Sequence, residues 1–399
     1  MEDVRHSERL GARGLLAAVW ADWKLRVIAL TAVALIVRLV VIAVTDGGAD
    51  LAIYRFFGGF ALHGVNPYDA PAGGPIEPRF ADSPPLEFAL FAGLLALHDS
   101  AATLRIFFAL CDAGTLLLIG FAFPFARAWR WRVLVFYAFN PFVLTGWTAF
   151  AEDKTLLFLL IAALLLALDG GRLAWAWAAT AALTALKFLG AFFAPALALH
   201  TVRALGWRRA LIPVGLCAAA VALTCLLWFP DSLHMLDNRR DRAAIPEPIH
   251  ASPLLFLSHA GLYATWLPQL LMIVSLIVVI ALYARERLDV KEAVVLSIAA
   301  GYVYLPDQPS NRILLVLLPF LLLVDLSRRA WILLWIASLP AAAAVIEASR
   351  PLPGGLAQLI GPSGSLRQVV WLHLPLLVVF ASWIRERSRA APISVSVSK

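Results

Sequence analysis

The sequence predicts an all-α polytopic membrane protein, a bundle of about twelve transmembrane helices with short helices lying on its outer face. Three observations lead there. Of 399 residues, 61% are hydrophobic and only 15% are charged. Mean hydropathy is +0.82, well above the usual range for soluble globular domains. Apolar runs of bilayer-crossing length recur along the chain, and short arginine-rich clusters separate them.

The elements follow from two rules applied together: roughly 17 to 25 apolar residues cross a bilayer, and basic residues in short loops stay on the cytoplasmic side. Arg5, Arg9, Arg13, Lys24 and Arg26 precede or open the first apolar run, about 25–45, and no small-residue cleavage site follows. Residues 1–24 are therefore read as a cytoplasmic segment and 25–45 as an uncleaved first span, not a signal peptide. Asp46 to Pro85 then lie outside. The stretch 86–97 is short and follows Pro84-Pro85, whereas 104–126 is long enough to cross and ends at the basic "RAWRWR". With that run cytoplasmic, 86–97 reads as a juxtamembrane helix on the outer face. The segment 133–150 leads out to a turn at "AEDK", and 155–169 leads back to "GGR". Two short helices, 173–186 and 188–202, place Lys187 at an outer turn and return the chain to "RALGWRR".

A span at 210–229, an outer loop at 230–266 and a span at 267–284 bring the chain to the cytoplasmic "RERLDVKE". The segment 292–305 leads out to "LPDQPSNR", 312–326 back to Arg328-Arg329, 330–347 out again, and 369–384 back. Residues 25–384 thus form one transmembrane domain, and 385–399 a cytoplasmic tail. The excess of Ala and Arg over the five lysines points to a GC-rich bacterial genome, and so to a bacterial plasma membrane.

Composition also excludes function classes. The net charge of +7 would suit nucleic acid, but the arginines sit in clusters that topology explains, so no nucleic-acid partner is expected. Cys111, Cys217 and Cys225 lie inside apolar runs without metal or CxxC spacing and read as small core residues. His234, His250 and His259 lack the i, i+4 spacing of a zinc helix. No P-loop, GxSxG or HExxH pattern is present. Arg38 and Asp112, both inside apolar runs, are expected to form a buried structural ion pair.

The remaining polar residues collect on the outer side: Asp46, Asp50, Tyr54, Asn66, Tyr68 and Asp82, then Glu152, Asp153 and Lys154, then Lys187, and finally Asp307, Asn311 and Arg312. Lys154 and Lys187 stand at turns where no topological signal requires them. Ionisable groups at membrane depth are costly, which makes them candidates for function. The "NPY" at 66–68 is a turn signal in any case, because Pro fixes φ and Asn favours turns.

Two stretches together, "ADLAIYRFFGGFALHGVNPYDAP" and "FADSPPLEFALFAGLLAL", resemble the start of the GT-C superfamily of polyprenyl-phosphate-sugar-dependent glycosyltransferases, in particular its bacterial mannosyltransferase-like group. Further stretches fit in order: "NPFVLTGWTAFAEDKTLLFLLIAALLLAL", "ALKFLGAFFAPALAL", "IHASPLLFLSHAGLY" and "SNRILLVLLPFLLL". The similarity covers roughly residues 25–325 and rests on order and spacing. Two departures stand out: Ala81 to Ser83 replace an aromatic before Pro-Pro, and Ala151-Glu152 replace a Gly-Gln before the second acid.

The resemblance implies a GT-C-like bundle and an inverting hexosyltransferase. Such an enzyme moves a sugar, expected to be mannose, from a polyprenyl-phosphate donor to a lipid-linked or glycan acceptor at the outer face. Asp50 would be the base that takes the acceptor hydroxyl proton, with burial raising its pKa toward that task. Lys187 and Arg312 would hold the donor phosphate, where charge develops. Glu152 and Asp153 would orient the acceptor or hold a divalent cation, Mg or Mn, which is left open. Tyr54, Asn66, Tyr68 and His250 would contact the sugar or the acceptor. The other reading is a membrane transporter or lipid-carrier flippase, for which Arg38 and Asp112 would be the support.

Overall fold

The computed structural model describes residues 22–69, 75–243, 245–308, 311–348, 350 and 352–389. The expected cytoplasmic segments at 1–21 and 390–399 lie outside the described residues. The described residues are all-α apart from one pair of two-residue strands. Among the described residues six helices are long and apolar enough to cross a membrane, and the protein is a membrane protein.

The first of the six, α1 (Trp23–Val44), starts where the Asp22 side chain accepts from the backbone amides of Lys24 and Leu25. It buries Val27, Leu30 and Ala34 and turns Ile28, Val33, Ile36 and Val40 outward. An apolar face left outside the bundle is what a lipid-facing helix needs. The chain continues as α2 (Ala49–Leu62), α3 (Pro85–Leu97), α4 (Ala101–Ala122) and α5 (Arg127–Phe139). Pro84-Pro85 opens α3, with proline at the first turn, where no amide donor is needed. Ser100 caps α4.

The expected span at 133–150 begins earlier, at Arg127, because Trp129 and Trp131 pack on the core alongside the apolar half. It is interrupted at Asn140, whose side chain restarts a short helical segment through Ala149. Beyond the turn come α6 (Lys154–Asp169), α7 (Leu173–Lys187), α8 (Leu189–Leu205), α9 (Trp207–Cys225) and the short α10 (His234–Ala243). After a five-residue helical turn at Leu255–His259 come α11 (Leu267–Ala284), α12 (Val290–Val303), α13 (Arg312–Leu321), α14 (Arg328–Glu347), α15 (Gly354–Ile360) and α16 (Leu366–Arg389).

The expected break at Lys187 is there. Phe188 takes a left-handed conformation, φ +56°, between α7 and α8. Trp177 Nε1 then donates to Thr201 Oγ1 at 3.0 Å; a straight helix would hold these residues about 36 Å apart, so α7 and α8 form a hairpin. Gly190 lets them close, since a Cβ there would meet Thr180 O at 2.4 Å.

The centre of the bundle is α13, in which Ile313 through Leu321 are all buried. A helix apolar all round belongs inside. By contrast, α9 and α11 keep few residues inside and lie at the periphery. The Arg38–Asp112 pair also matches expectation. Arg38 Nε lies 2.6 Å from Asp112 Oδ2, and its terminal nitrogens donate to the Tyr137 and Ala138 carbonyls at 3.0 Å. The Tyr137 hydroxyl completes the Asp112 carboxylate. Every charge in the pair is met, so it joins α1, α4 and α5 without an orphaned group.

A short strand pair helps to fix the long 226–266 connection. Strand β1 (Ile249–His250) runs parallel to β2 (Asp307–Gln308), with Ile249 opposite Asp307. This anchors the connection beside the start of α13. The starts of α2, α3, α6 and α13 and the end of α7 therefore meet at one end of the bundle, where a cleft opens.

Candidate functional site

Asp50 reaches the cleft through a backbone contact. The Gly48 amide donates to Phe150 O at 2.9 Å, joining the α1–α2 link to the loop before α6. A side chain at 48 would put its Cβ 2.6 Å from the Phe150 ring, so glycine permits the approach. On the facing loop Ala151 is left-handed at φ +61°, a conformation costly for alanine. Its methyl is buried against Leu51 and Tyr54.

The contact brings Lys154 into the middle of an acidic cluster. Its ammonium lies 3.0 Å from Asp50 Oδ2, 2.8 Å from Asp153 Oδ1, against Glu152 Oε2, and 3.2 Å from the Tyr54 hydroxyl. Tyr54 in turn donates to Asp153 at 2.9 Å. Lys187, at the tip of the α7–α8 hairpin, forms a second centre. It donates to Ser83 Oγ at 2.7 Å and pairs with Glu87 at 2.7 Å and Asp153 at 3.4 Å. Asp153 thus bridges the two lysines, one through each oxygen.

The carboxyls divide into two kinds. Burial pushes the Asp50 carboxyl up, but the Lys154 ammonium and a hydrogen bond from Glu152 more than offset it and bring it down to about 2. The expectation of a raised Asp50 pKa is therefore overturned, because a direct ion pair outweighs desolvation. Asp153, also buried, is held below the carboxylate range by Lys154 and Lys187. Glu152 goes the other way: burial and the neighbouring Asp50 charge raise it well above the ordinary value, with Lys154 pulling it back. Glu87 is raised to about 8, by burial first, with Lys187 pulling it back and Asp153 pushing it up. Two acids with lowered and two with raised proton affinity thus face two ammonium groups.

The cleft, about 140 Å³ in volume, is lined by Asp50, Tyr54, Asp82, Glu87, Lys154, Lys187, Arg239, Asp307 and Arg312, among apolar neighbours that include Phe80, Phe88 and Tyr302. Asp50, Lys187 and Arg312 are thus brought onto one cavity, as the sequence reading required. Arg312 gives one N–H to Asp307 O at 3.1 Å.

Other expected residues are not brought there. Asn66 donates to Asp69 at 3.0 Å and to Asp231 at 2.8 Å, outside the cleft lining. Tyr68 is buried among Phe88 and Trp228, and its hydroxyl donates to the Ser83 carbonyl at 2.8 Å. It therefore supports the Ser83 turn from behind. His250 is exposed and lies 3.0 Å from Asp307, so it touches a cleft residue without lining the cleft. Glu152 and Asp153 lie behind Lys154 and also do not line it.

Nor does this pair fit a divalent cation, since its oxygens face ammonium groups that would repel one. Among the described residues no group of three His, Cys, Asp or Glu side chains is placed to hold a metal ion.

Lys154, Asp82 and Asp307 were noted in the sequence as outer-face groups without a role at the site, and Glu87 and Arg239 were missed. Lys154 was visible as a lysine without a topological reason, and Glu87 as the lone acid of an otherwise apolar helix. Arg239, which stacks over the Phe188 ring at 5.0 Å, gave no signal within "DNRRDR". No protein-family profile matches the chain, and no curated protein matches it.

Proposed function

We propose that the protein is an inverting glycosyltransferase of the GT-C kind, moving a hexose, mannose as first choice, from a polyprenyl-phosphate donor to a lipid-linked or glycan acceptor. One observation carries this reading. Asp50, Lys187 and Arg312 are separated by more than a hundred residues at each step, yet they line one cleft. That cleft sets a carboxylate across from cations suited to a phosphate.

In this reading the membrane is crossed about twelve times, by α1, α4, α5 with its continuation, α6 to α9, α11 to α14 and α16. The helices α2 and α3 lie on the outer face of a bacterial plasma membrane. The alternation agrees with the basic connections at 127–132, 203–209, 285–291 and 328–329 falling on one side and the cleft on the other. A polyprenyl donor presents its sugar phosphate at that outer boundary.

The chemistry is a direct displacement. The acceptor hydroxyl attacks the anomeric carbon while Asp50 takes its proton, and the electron pair of the breaking bond goes to the phosphate. Arg312 and Lys187 stabilise that charge. An anion entering the cleft raises the proton affinity of Asp50, so a carboxyl near 2 in the empty site becomes a stronger base when donor is bound. Attack from the face opposite the leaving phosphate inverts the anomeric configuration.

The transporter alternative leaned on Arg38 and Asp112, and that pair is accounted for as a fully satisfied joint between three helices.

The test is transfer of labelled mannose from polyprenyl-phosphate-mannose to a membrane glycolipid extract by purified protein in nanodiscs. Wild type is expected to transfer with inversion, and Asp50→Asn to lose about 10²-fold or more while remaining folded. Full activity in Asp50→Asn, or retained configuration, would refute the reading.

A further inference from the structure

Glu87 stands apart from the other acids of the cluster. It is 2% exposed and lines the cleft directly. Neither of its oxygens is in a well-formed hydrogen bond, although Oε1 lies 2.7 Å from the Lys187 ammonium and the Ser83 hydroxyl stands alongside. A buried carboxyl with contacts this incomplete is costly, and here it borders an open cavity that can supply a better partner. The ionisable groups around it are Lys187 at the end of α7, Asp153 in the loop before α6, Asp82 just before α3, Tyr54 on α2 and Tyr68 behind Ser83. Lys187 is the cation in direct contact with it and is shared with Asp153, while Arg239 of α10 lines the same cleft.

We propose that Glu87 is a catalytic residue, a carboxylic acid whose proton is donated in a hydrogen bond to a phosphate oxygen of the bound donor while Lys187 holds a second oxygen. The inference rests on the polyprenyl-phosphate reading. A charged carboxylate at this position would repel the phosphate; a protonated one meets it through a short O–H···O⁻ bond. During transfer the bond from acceptor oxygen to anomeric carbon forms and the bond to phosphate oxygen breaks. The acceptor proton goes to Asp50, and the electron pair goes to the phosphate. Glu87 keeps its proton and strengthens its hydrogen bond as that charge grows. The raised proton affinity of Glu87, to about 8, suits this role and is reinforced by an incoming anion.

The sign of the pH dependence follows. Glu87 is protonated below about 8 and loses its proton above, so phosphate affinity falls as pH rises through that value. Asp50 and Asp153 stay ionised throughout, and Tyr54 and Tyr68 stay protonated.

The experiment measures binding of a short-chain polyprenyl phosphate to the full chain in nanodiscs between about pH 7 and 9, where the second ionisation of the ligand, near 6, is complete. Wild-type affinity is expected to fall toward tenfold per pH unit above the midpoint. Glu87→Gln keeps a neutral donor and is expected to bind within about threefold of wild type at pH 7, with that fall abolished. Glu87→Leu is expected to bind about tenfold more weakly at pH 7, the loss of one hydrogen bond to a charged group. Three results would overturn the proposal: tighter binding by Glu87→Gln, as for a counterion that merely competes for Lys187; Glu87→Gln as weak as Glu87→Leu; or a fall with pH unchanged in Glu87→Gln. If Glu87→Leu does not fold, the pH profiles of wild type and Glu87→Gln decide alone. Absence of polyprenyl-phosphate binding by wild type at every pH would instead remove the donor reading on which the role of Glu87 depends.

Discussion

Replacing Lys154 with methionine removes the charge around which the cluster is built. The ammonium is 5% exposed and contacts Asp50, Glu152 and Asp153. Methionine has similar length and no charge, so packing changes little while the acids lose their partner. Glu152, whose proton affinity burial and Asp50 already raise, is the acid that loses least. Asp50 and Asp153 are left charged, Asp153 keeping Lys187 at 3.4 Å. Removing one member of a buried pair costs about 3–5 kcal/mol, and the partial cover from Lys187 places the expected loss at the lower end.

The pH dependence provides a second check. In wild type the folded pKa of Asp50 and of Asp153 is depressed, so their contribution is present above the unfolded value of about 3.9 and lost as pH falls through the folded value. Without Lys154, burial dominates at Asp50 and its folded pKa rises above the unfolded one. The destabilisation is then largest at neutral pH and relieved on acidification. Denaturant unfolding in detergent, followed by tryptophan fluorescence at about pH 7.5 and about pH 5, measures both effects. Lys154→Met is expected to be less stable by about 3 kcal/mol at the higher pH, with a smaller gap at the lower. Equal stability at pH 7.5, or a gap that widens on acidification, would refute the ion-pair reasoning.

Other outcomes follow from the same geometry. Arg38→Met and Asp112→Leu alone are each expected to destabilise by about 3–5 kcal/mol, and the double variant to recover most of that, because one lone buried charge is worse than none; unfolding of the three variants checks it. Gly190→Ala puts a methyl 2.4 Å from the Thr180 carbonyl and is expected to open the α7–α8 hairpin, costing about 1–3 kcal/mol, with weaker binding of polyprenyl phosphate as Lys187 shifts. For the twelve-crossing arrangement, Asp99→Cys and Leu262→Cys are expected to react with an impermeant thiol reagent on intact cells, and Arg208→Cys and Glu286→Cys only after lysis.

Much of the architecture was legible because membrane helices obey few rules: apolar length, basic loops and the cost of an isolated charge. Lys187 in an apolar stretch was enough to break 173–202 into a hairpin, and Phe188 in a left-handed conformation is how the chain does it. Helix starts were less legible. The arginine and tryptophan residues of "RAWRWR" concealed the first turns of α5, because long side chains can keep charged tips in water while their stems pack.

Asp50, Lys187 and Arg312, singled out in the sequence, line one cleft. Their surroundings were not legible, because the pKa of Asp50 is set by Lys154, and nothing in either local stretch announces that pairing. Asn66, Tyr68 and His250 have the chemistry of sugar contacts, but Asp231, Ser83 and Asp307 engage them. Sequence reveals that a polar group is present and leaves its partner to the tertiary fold.

The most direct measurement is an experimental structure with polyprenyl-phosphate-mannose bound to the Asp50→Asn variant. The expected result has the donor phosphate within hydrogen-bond distance of Arg312, Lys187 and Glu87, with the anomeric carbon turned toward residue 50. A donor phosphate bound elsewhere, with Lys187 and Arg312 still turned to Asp153 and Asp307, would contradict the assignment of this cleft as a sugar-transfer site.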